Sequence, residues 1–561
     1  MTKLGGMTMS SIEKITIEQI TKKNPLLSTF RSIIETSFYR NNVTKINQLS
    51  ESYHLAKAAS GSIVTDLPIY APEKLGLPSD GKVLVANDGK IVGRTAAARK
   101  VIGQPGVDEQ LYSGILREAI YNGCNKEFYS CEAIIGLSET FMIKAHLQLP
   151  KGFEHSLYAY LLNFQCLTPE YQALYSTSTA YTEGDIYLYA DPEWHHPDFP
   201  DGLVLIDPEH NVAAVLGLRY FGELKKATLT LAWAIAHRNG FIACHGGLKQ
   251  YRLADSNYTM AVFGLSGSGK STITLAEHQH NYAVSVLHDD AFIISKEDGS
   301  TVALEPAYFD KTQDYPMKDP GIKYFLTGHN LGVTLDEKNQ KVLVTEDIRN
   351  NNGRTVKSRF ATPNRIDSVS EKLDAVYWIM KDDSLPPIVR IDDPVLAAVF
   401  GLTLATKRST AENVTPETNL DELVIEPFAN PFRCYPLAED YYNFKELFEK
   451  QQVTCYILNT GYFNKEKITP DQTLACIELI IDHEDHFIPF GPLTAMSYVP
   501  IETLEPTFDD PTYLKKIRTN FERRLHFIQE QRTLMAGYNA LPEEAALLIQ
   551  HLLLELEEQT T

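Results

Sequence analysis

The chain has 561 residues, which is room for two or three folding units. Hydrophobic residues make up 43% and charged residues 22%, and this balance excludes wholesale disorder. The formal net charge is -20, the wrong sign for a general binder of nucleic acid or anionic membrane.

The first 24 residues, MTKLGGMTMSSIEKITIEQITKKN, contain no apolar core of a secretory signal. Residues 1–60 read as mostly helical, and from Gly61 to about Leu218 short apolar runs alternate with turn residues, as in a mixed α/β region. In GELKKATLTLAWAIAHRNG, Leu224, Ala227, Leu231 and Ile235 share one helical face, and Gly240 stands where a C-terminal cap belongs. Phe241–Cys244, Thr259–Phe263 and Ala283–Leu287 read as short strands. The apolar stretch near Val395–Ala405 is too short to span a bilayer. Residues 406–423 are polar and aperiodic and read as a long exposed loop, either a lid or a tolerated insertion. From about Pro511 the chain is helical. Pro542 begins a last helix whose Leu547, Leu548, Leu552, Leu554 and Leu556 are expected to bury against the body or a partner chain. Seven cysteines without a CxxC pair argue against a disulfide framework and against a zinc–cysteine site. The expected location is the cytoplasm.

The strongest local signal is Gly264-Leu265-Ser266-Gly267-Ser268-Gly269-Lys270-Ser271, followed by Thr272. This is the GxxxxGK[ST] phosphate loop, set between an expected strand and an expected helix. Its glycines let backbone N–H groups surround phosphate oxygens. Lys270 supplies a mobile positive charge, and the Ser271 hydroxyl suits the Mg²⁺ of a nucleotide. His288-Asp289-Asp290 closes a later apolar run, about where a phosphate-bound metal finds its carboxylates.

Further motifs follow in order. They are Gly93-Arg94-Thr95, Tyr220-Phe221-Gly222-Glu223-Leu224-Lys225-Lys226, and His245 nineteen residues after Lys226. Lys311-Thr312, Arg359 four residues before Pro363, Leu385-Pro386-Pro387 with Arg390, Glu426-Pro427 and Asn459-Thr460-Gly461-Tyr462 come next. Together they resemble ATP-dependent phosphoenolpyruvate carboxykinases, the family that decarboxylates and phosphorylates oxaloacetate. The resemblance runs from about residue 90 to 475. Some positions depart from the family pattern: Gly246-Gly247 follow His245 in place of Cys-Ser, and Pro306-Ala307 follow Glu305 in place of Gly-Gly.

The resemblance implies an α/β, two-domain carboxykinase-like fold. Residues 1–245 would form a substrate-side domain and 246–561 a C-terminal P-loop mononucleotide-binding domain, with the active site in the cleft between them and a lid near 406–423. It implies Mn²⁺ held by Lys226, His245 and Asp290, and Mg²⁺ on Ser271 with the nucleotide, with Asp289 behind. Arg94 and Arg359 would clamp the substrate carboxylates, while Tyr220 and Lys225 line the CO2 side and Lys226 faces substrate. Lys270, Lys311 and Arg359 would attend the transferring phosphate, and Ser266 would touch substrate or phosphate. Gly264, Leu265, Gly267, Ser268, Gly269 and Thr272 complete the phosphate cradle, and Lys467 and Thr473 fall on the adenine side. The implied partners are oxaloacetate, phosphoenolpyruvate, CO2, ATP and ADP, without nucleic acid or membrane, in a monomer or small homo-oligomer. Two rivals share the phosphate loop: a kinase with another small-molecule or protein substrate, and a nucleotide-binding relic.

Overall fold

The amphipathic segment after Leu218 forms the helix Phe221–Arg238, and Gly240 behind it takes φ 87°, the left-handed conformation that ends the helix. The computed structural model describes residues 15–87, 96–166, 169–265, 267–346, 352–407, 423–484 and 486–558. Within them the chain is a mixed α/β protein built on several sheets.

The first large sheet runs Val43–Ile46, Phe128–Ser138, Phe141–Pro150, Ile186–Asp191, Val212–Leu216, Leu203–Asp207, Arg99–Val101, with Gln165–Cys166 added beside Phe128–Ser138. The second runs Ala283–His288, Gly247–Arg252, Asn257–Phe263, Ala375–Met380, Thr454–Asn459, Ile388–Ile391, Leu493–Tyr498, Ile488–Phe490. Its centre is parallel: Asn257–Phe263 pairs with Ala375–Met380, which pairs with Thr454–Asn459. These three strands are almost wholly buried, as parallel strands covered on both faces must be. A five-stranded sheet joins Ser62–Pro68 and Lys82–Ala86 to Phe325–His329, Arg354–Lys357 and Tyr308–Lys311, so it draws on chain from both sides of residue 245.

A small antiparallel sheet, Phe241–His245, Ala291–Ser295, Thr301–Ala303, Ser368–Val369, matters most for the site. The chain passes from it to the second large sheet at residues 245–247 and returns at 288–291. The two crossings lie side by side: His245 is opposite Ala291, Leu248 is opposite His288, and the Gly246 N–H donates to the Asp290 carbonyl at 3.0 Å. That pairing brings His245 and Asp290 together although 45 residues separate them.

Three sequence expectations change in detail. The first sixty residues are not all helix. Between the helices Thr29–Ser37 and Leu49–Ala58, the strand Val43–Ile46 pairs in parallel with Phe128–Cys131. The ends of the polar 406–423 segment are paired strand, Thr406 opposite Val424 and Lys407 opposite Leu423, and residues 408–422 lie outside the described residues. In the last helix, Glu543–Glu558, Leu552 and Leu556 are buried but Leu547 and Leu554 face outward, because one helix face packs and the other does not. The stretch near Val395 is the buried helix Pro394–Leu402. Among the described residues no helix is long and apolar enough to cross a membrane.

Candidate active site

The helix Phe221–Arg238 packs against the strand Phe241–His245, and its first turns deliver Lys225 and Lys226 to the crossing point. There the Asp290 carboxylate gathers three nitrogens. Lys225 Nζ donates to Oδ2 at 2.7 Å, Lys226 Nζ lies 2.8 and 3.0 Å from the two oxygens, and His245 Nε2 lies 2.9 Å from Oδ1. Below them Lys225 also meets Glu305 Oε1 at 2.9 Å, and Asn163 Nδ2 donates to Glu305 Oε2 at 2.6 Å. Lys225 and Glu305 are fully buried, whereas Lys226, His245 and Asp290 keep a partly open face. The cluster therefore has a sealed floor and an accessible rim.

The two adjacent lysines are electrostatically different. Burial works against the charge of Lys225, but Asp290 and Glu305 outweigh it and raise its pKa above the ordinary lysine value. Burial dominates at Lys226, aided by repulsion from Lys225, and lowers it to about 8. Burial and then Lys226 lower His245 to about 4. Against the cost of burial, Lys225 and Lys226 hold the Asp290 carboxyl well below the usual range.

The neutral His245 has a fixed tautomer. Its Nδ1 donates to the carbonyl oxygen of Ala429 at 2.5 Å, so the Nε2 lone pair faces the Asp290 carboxylate. The two acceptors stand 2.9 Å apart, an arrangement that a cation bound to both would satisfy. Among the described residues no three His, Cys, Asp or Glu side chains form a metal set. The Lys226 amine, lowered to about 8 and 2.8 Å from the same Asp290 oxygen, would be the third donor once deprotonated. Imidazole, carboxylate and amine suit a divalent transition ion. Phe432 covers this group, its ring centroid 4.6 Å from Lys226 Nζ and 5.4 Å from the His245 ring.

The phosphate loop adjoins the cluster. Lys270 Nζ donates to the backbone carbonyl of Asp289, one residue before the gathering carboxylate. A Cβ at Gly264 would run into the side chains of Ser268 and Ile379, and Gly267 and Gly269 take φ 80° and 98°, so space requires the first glycine and backbone conformation the other two. Ser268 is buried, and its carbonyl accepts from the Thr460 hydroxyl at 2.7 Å. Ser271 and Thr272 are exposed on the short helix Lys270–Leu275, and Leu265 is half-buried at the loop's start.

The remaining sequence candidates spread around this centre. Tyr220 precedes the helix Phe221–Arg238 and folds its ring over Gly222, near Phe309. Lys311 ends its strand opposite Arg354. Arg359 Nη2 donates to Asp367 Oδ1 at 2.7 Å and Nη1 to the Tyr171 hydroxyl at 3.3 Å, so it is engaged away from Asp290. Asp289 is buried, with His288 Nδ1 3.9 Å from its carboxylate. Lys467 is exposed in a two-residue strand, and Thr473 is buried with its hydroxyl on the Thr469 carbonyl. Arg94 and Ser266 lie outside the described residues.

Sequence reading gave no role to Glu305, Asn163, His288, the Ala429 carbonyl or Phe432. Of these, His288 and Glu305 stood in segments the sequence singles out, His288-Asp289-Asp290 and Glu305-Pro306-Ala307. His288 accepts from the Asp290 N–H at 2.9 Å and donates from Nε2 to the Ala307 carbonyl at 3.0 Å, which fixes the Asp289–Asp290 turn.

A family model described as phosphoenolpyruvate carboxykinase matches residues 80–490. The chain is 27% identical over 287 residues to the phosphoenolpyruvate carboxykinase (ATP) of Aeropyrum pernix, covering 49% of this chain and 57% of that one. It is 24% identical over 311 residues to the enzyme of that name from Sinorhizobium medicae, covering 53% and 54%. With the one from Rhodopseudomonas palustris it shares 23% identity over 469 residues, covering 77% and 83%. The chain thus spans about half the length of the first curated relatives it matches.

Proposed function

Because the chain belongs to the ATP-dependent phosphoenolpyruvate carboxykinase family, we propose that it converts oxaloacetate and ATP to phosphoenolpyruvate, CO2 and ADP. The observation that carries this reading is the joining of two groups by one turn: the Lys226–His245–Asp290 donor set and the Lys270 phosphate loop meet across Asp289–Asp290.

The reaction breaks the C–C bond to the departing carboxylate and leaves the electron pair on an enolate. The enolate oxygen then attacks the γ-phosphorus of ATP, and the bond to ADP breaks. Negative charge grows in both halves, so fixed cations must already be in place. Lys225, kept protonated by Asp290 and Glu305, is a permanent buried charge on the substrate side. Lys270 meets the β- and γ-phosphates, with Gly264, Leu265, Gly267, Ser268, Gly269 and Thr272 around them and Ser271 on the Mg²⁺ that travels with ATP. Lys226, His245 and Asp290 would hold Mn²⁺, which when bound supplies Lewis-acid stabilisation of the enolate oxygen. Arg94 and Arg359 would take the substrate carboxylates as bidentate forks, which requires Arg359 to exchange Asp367 for substrate. Lys311 and Tyr220 complete the wall, and Lys467 and Thr473 the adenine side. We place these residues in a cleft between an N-terminal substrate domain and a C-terminal nucleotide domain divided near residue 245. The 406–423 segment would close over the cleft, excluding the water that would protonate the enolate to pyruvate. The six cysteines whose side chains are described are free thiols, which supports a reducing, cytoplasmic setting.

The test is an assay of the purified protein with oxaloacetate, Mn²⁺ and Mg²⁺, and either ATP or GTP. Phosphoenolpyruvate and pyruvate are followed together, with Lys270→Ala as control. ATP-dependent phosphoenolpyruvate that disappears in the variant is the expected result. Neither product, with ATP still bound, would sink the reading and favour another kinase or a nucleotide-binding relic.

A further inference from the structure

Behind the phosphate loop lies a buried lysine that the proposed chemistry does not use. Lys249 sits in the strand Gly247–Arg252 with 0% of its surface exposed. Its Nζ donates to the carbonyl oxygen of Ile273 at 3.2 Å and to that of Ala276. These carbonyls belong to the C-terminal end of the helix Lys270–Leu275, where backbone acceptors have no partner within the helix. Immediately after it, His278, Gln279 and His280 take φ of 47°, 54° and 64°, so the chain turns away instead of satisfying those acceptors itself.

The strand and the helix touch at a second point. Gly247 has no room for a Cβ because the Thr274 side chain stands there, and the Thr274 hydroxyl returns to the Lys270 carbonyl at 2.9 Å. Around Lys249, the Tyr251 ring centroid is 5.0 Å from Nζ, and His278 bridges the Tyr251 hydroxyl at 2.8 Å and Glu478 Oε1 at 2.6 Å. The carboxylates whose charge reaches Lys249 are those of Glu277 and Glu478.

We propose that Lys249 is a positioning residue of the nucleotide site, clamping the phosphate-loop helix from behind so that Lys270, Ser271 and Thr272 stand where the phosphates need them. A six-residue helix has little stability of its own, so its placement depends on what holds its ends. Charged or neutral, a lysine amine carries at least two N–H donors, enough for both carbonyls. Removing it leaves buried acceptors without partners and frees the helix end to shift. The inference rests on the nucleotide-binding part of the proposed function and on no step of the decarboxylation.

The test uses the full-length protein and a fluorescent N-methylanthraniloyl ADP with Mg²⁺. Lys249→Met should weaken its binding about tenfold, as expected for leaving two buried carbonyls unpaired behind the site. Mn²⁺ affinity, read by electron paramagnetic resonance without nucleotide, should stay at the wild-type value, and Lys249→Arg should restore part of the loss. In turnover, the KM for ATP should rise while the KM for oxaloacetate holds. Wild-type ADP affinity in a normally folded Lys249→Met protein overturns the proposal, as does an equal loss of Mn²⁺ affinity. Should that variant fail to fold, Lys249→Gln, whose shorter stem cannot span both carbonyls, replaces it, and wild-type ADP affinity there overturns the proposal equally. A wild-type protein that binds no ADP would remove the nucleotide reading itself, whereas ADP binding without phosphoenolpyruvate formation touches only the reaction.

Discussion

The Asp290 cluster and the phosphate loop share one turn, yet they are built on opposite plans. The cluster is assembled from five distant segments, around residues 163, 225, 245, 290 and 305, and it works through buried charges that compensate one another. The loop is a single run from Gly264 to Thr272, shaped by glycine backbone and presenting Ser271 and Thr272 outward. Stability and ligand binding should therefore separate: the cluster carries both, and the loop carries binding alone.

The largest expected effect tests the first half of that contrast. Asp290→Ala removes the anion that faces both Lys225 and Lys226, leaving Glu305 as the remaining carboxylate on Lys225. Breaking a buried ion pair from one side costs about 3–5 kcal/mol, so the denaturant midpoint should fall by a large step. Mn²⁺ affinity should vanish with it. A loss below about 1 kcal/mol would show that water reaches the lysines and that the floor is not sealed. The loop's counterpart is Lys270→Ala. Among the described residues Lys270 donates to the Asp289 carbonyl alone, so melting should barely move, whereas ADP affinity should drop by about a hundredfold, the cost of removing a charged phosphate contact. A comparable loss of stability in both variants would erase the distinction.

Gly247→Ala should fall between them. The added methyl meets the Thr274 side chain and presses the strand off the phosphate-loop helix, two residues beyond His245. Overpacking of this kind costs about 1–3 kcal/mol. ADP binding should weaken more than Mn²⁺ binding, because the clash falls on the loop's side. The reverse order, measured by titrating each ligand, would mean that the strand transmits the strain to His245 instead.

How much of this could be read from the sequence follows the same division. The phosphate loop was legible because its residues are contiguous and its glycines have a backbone reason visible in the pattern. The helix Phe221–Arg238 was legible from its apolar face and from Gly240. Of the metal candidates, Asp290 stood in an acidic pair that closes an apolar run, whereas Lys226 and His245 were named by family resemblance alone. The structure supplies the physical reason they meet, the paired crossings between two sheets. Phe432 and the Ala429 carbonyl had no signal at all, since His245 finds that carbonyl 184 residues away. The strand Val43–Ile46 was hidden among helices because its partner, Phe128–Cys131, is remote. Leu547 and Leu554 were expected inside because leucine content was read without phase, and a helix buries a stripe, not a composition.

The last effect is read as a slope, not as a single loss. Lys249 is buried against carbonyls, among the described residues no carboxylate pairs with it directly, and burial lowers it to about 7, against 10.5 for an ordinary lysine. Below about pH 7 the folded and unfolded chains both hold this proton, so it adds no pH dependence. Between about 7 and 10.5 the folded protein has released the proton and the unfolded chain still binds it. The unfolded state then binds more protons, and stability rises with pH by at most about 1.4 kcal/mol per unit. Other groups titrate in the same window, so the quantity to measure is the difference in unfolding free energy between wild type and Lys249→Met. That difference should move in favour of wild type from pH 7 upward and level off near 10.5. A flat difference would mean that Lys249 stays charged in the fold. The clamp on the phosphate-loop helix would then be a full ammonium on the negative end of a helix, and the loop would contain a buried charge after all, which would weaken the contrast with the Asp290 cluster.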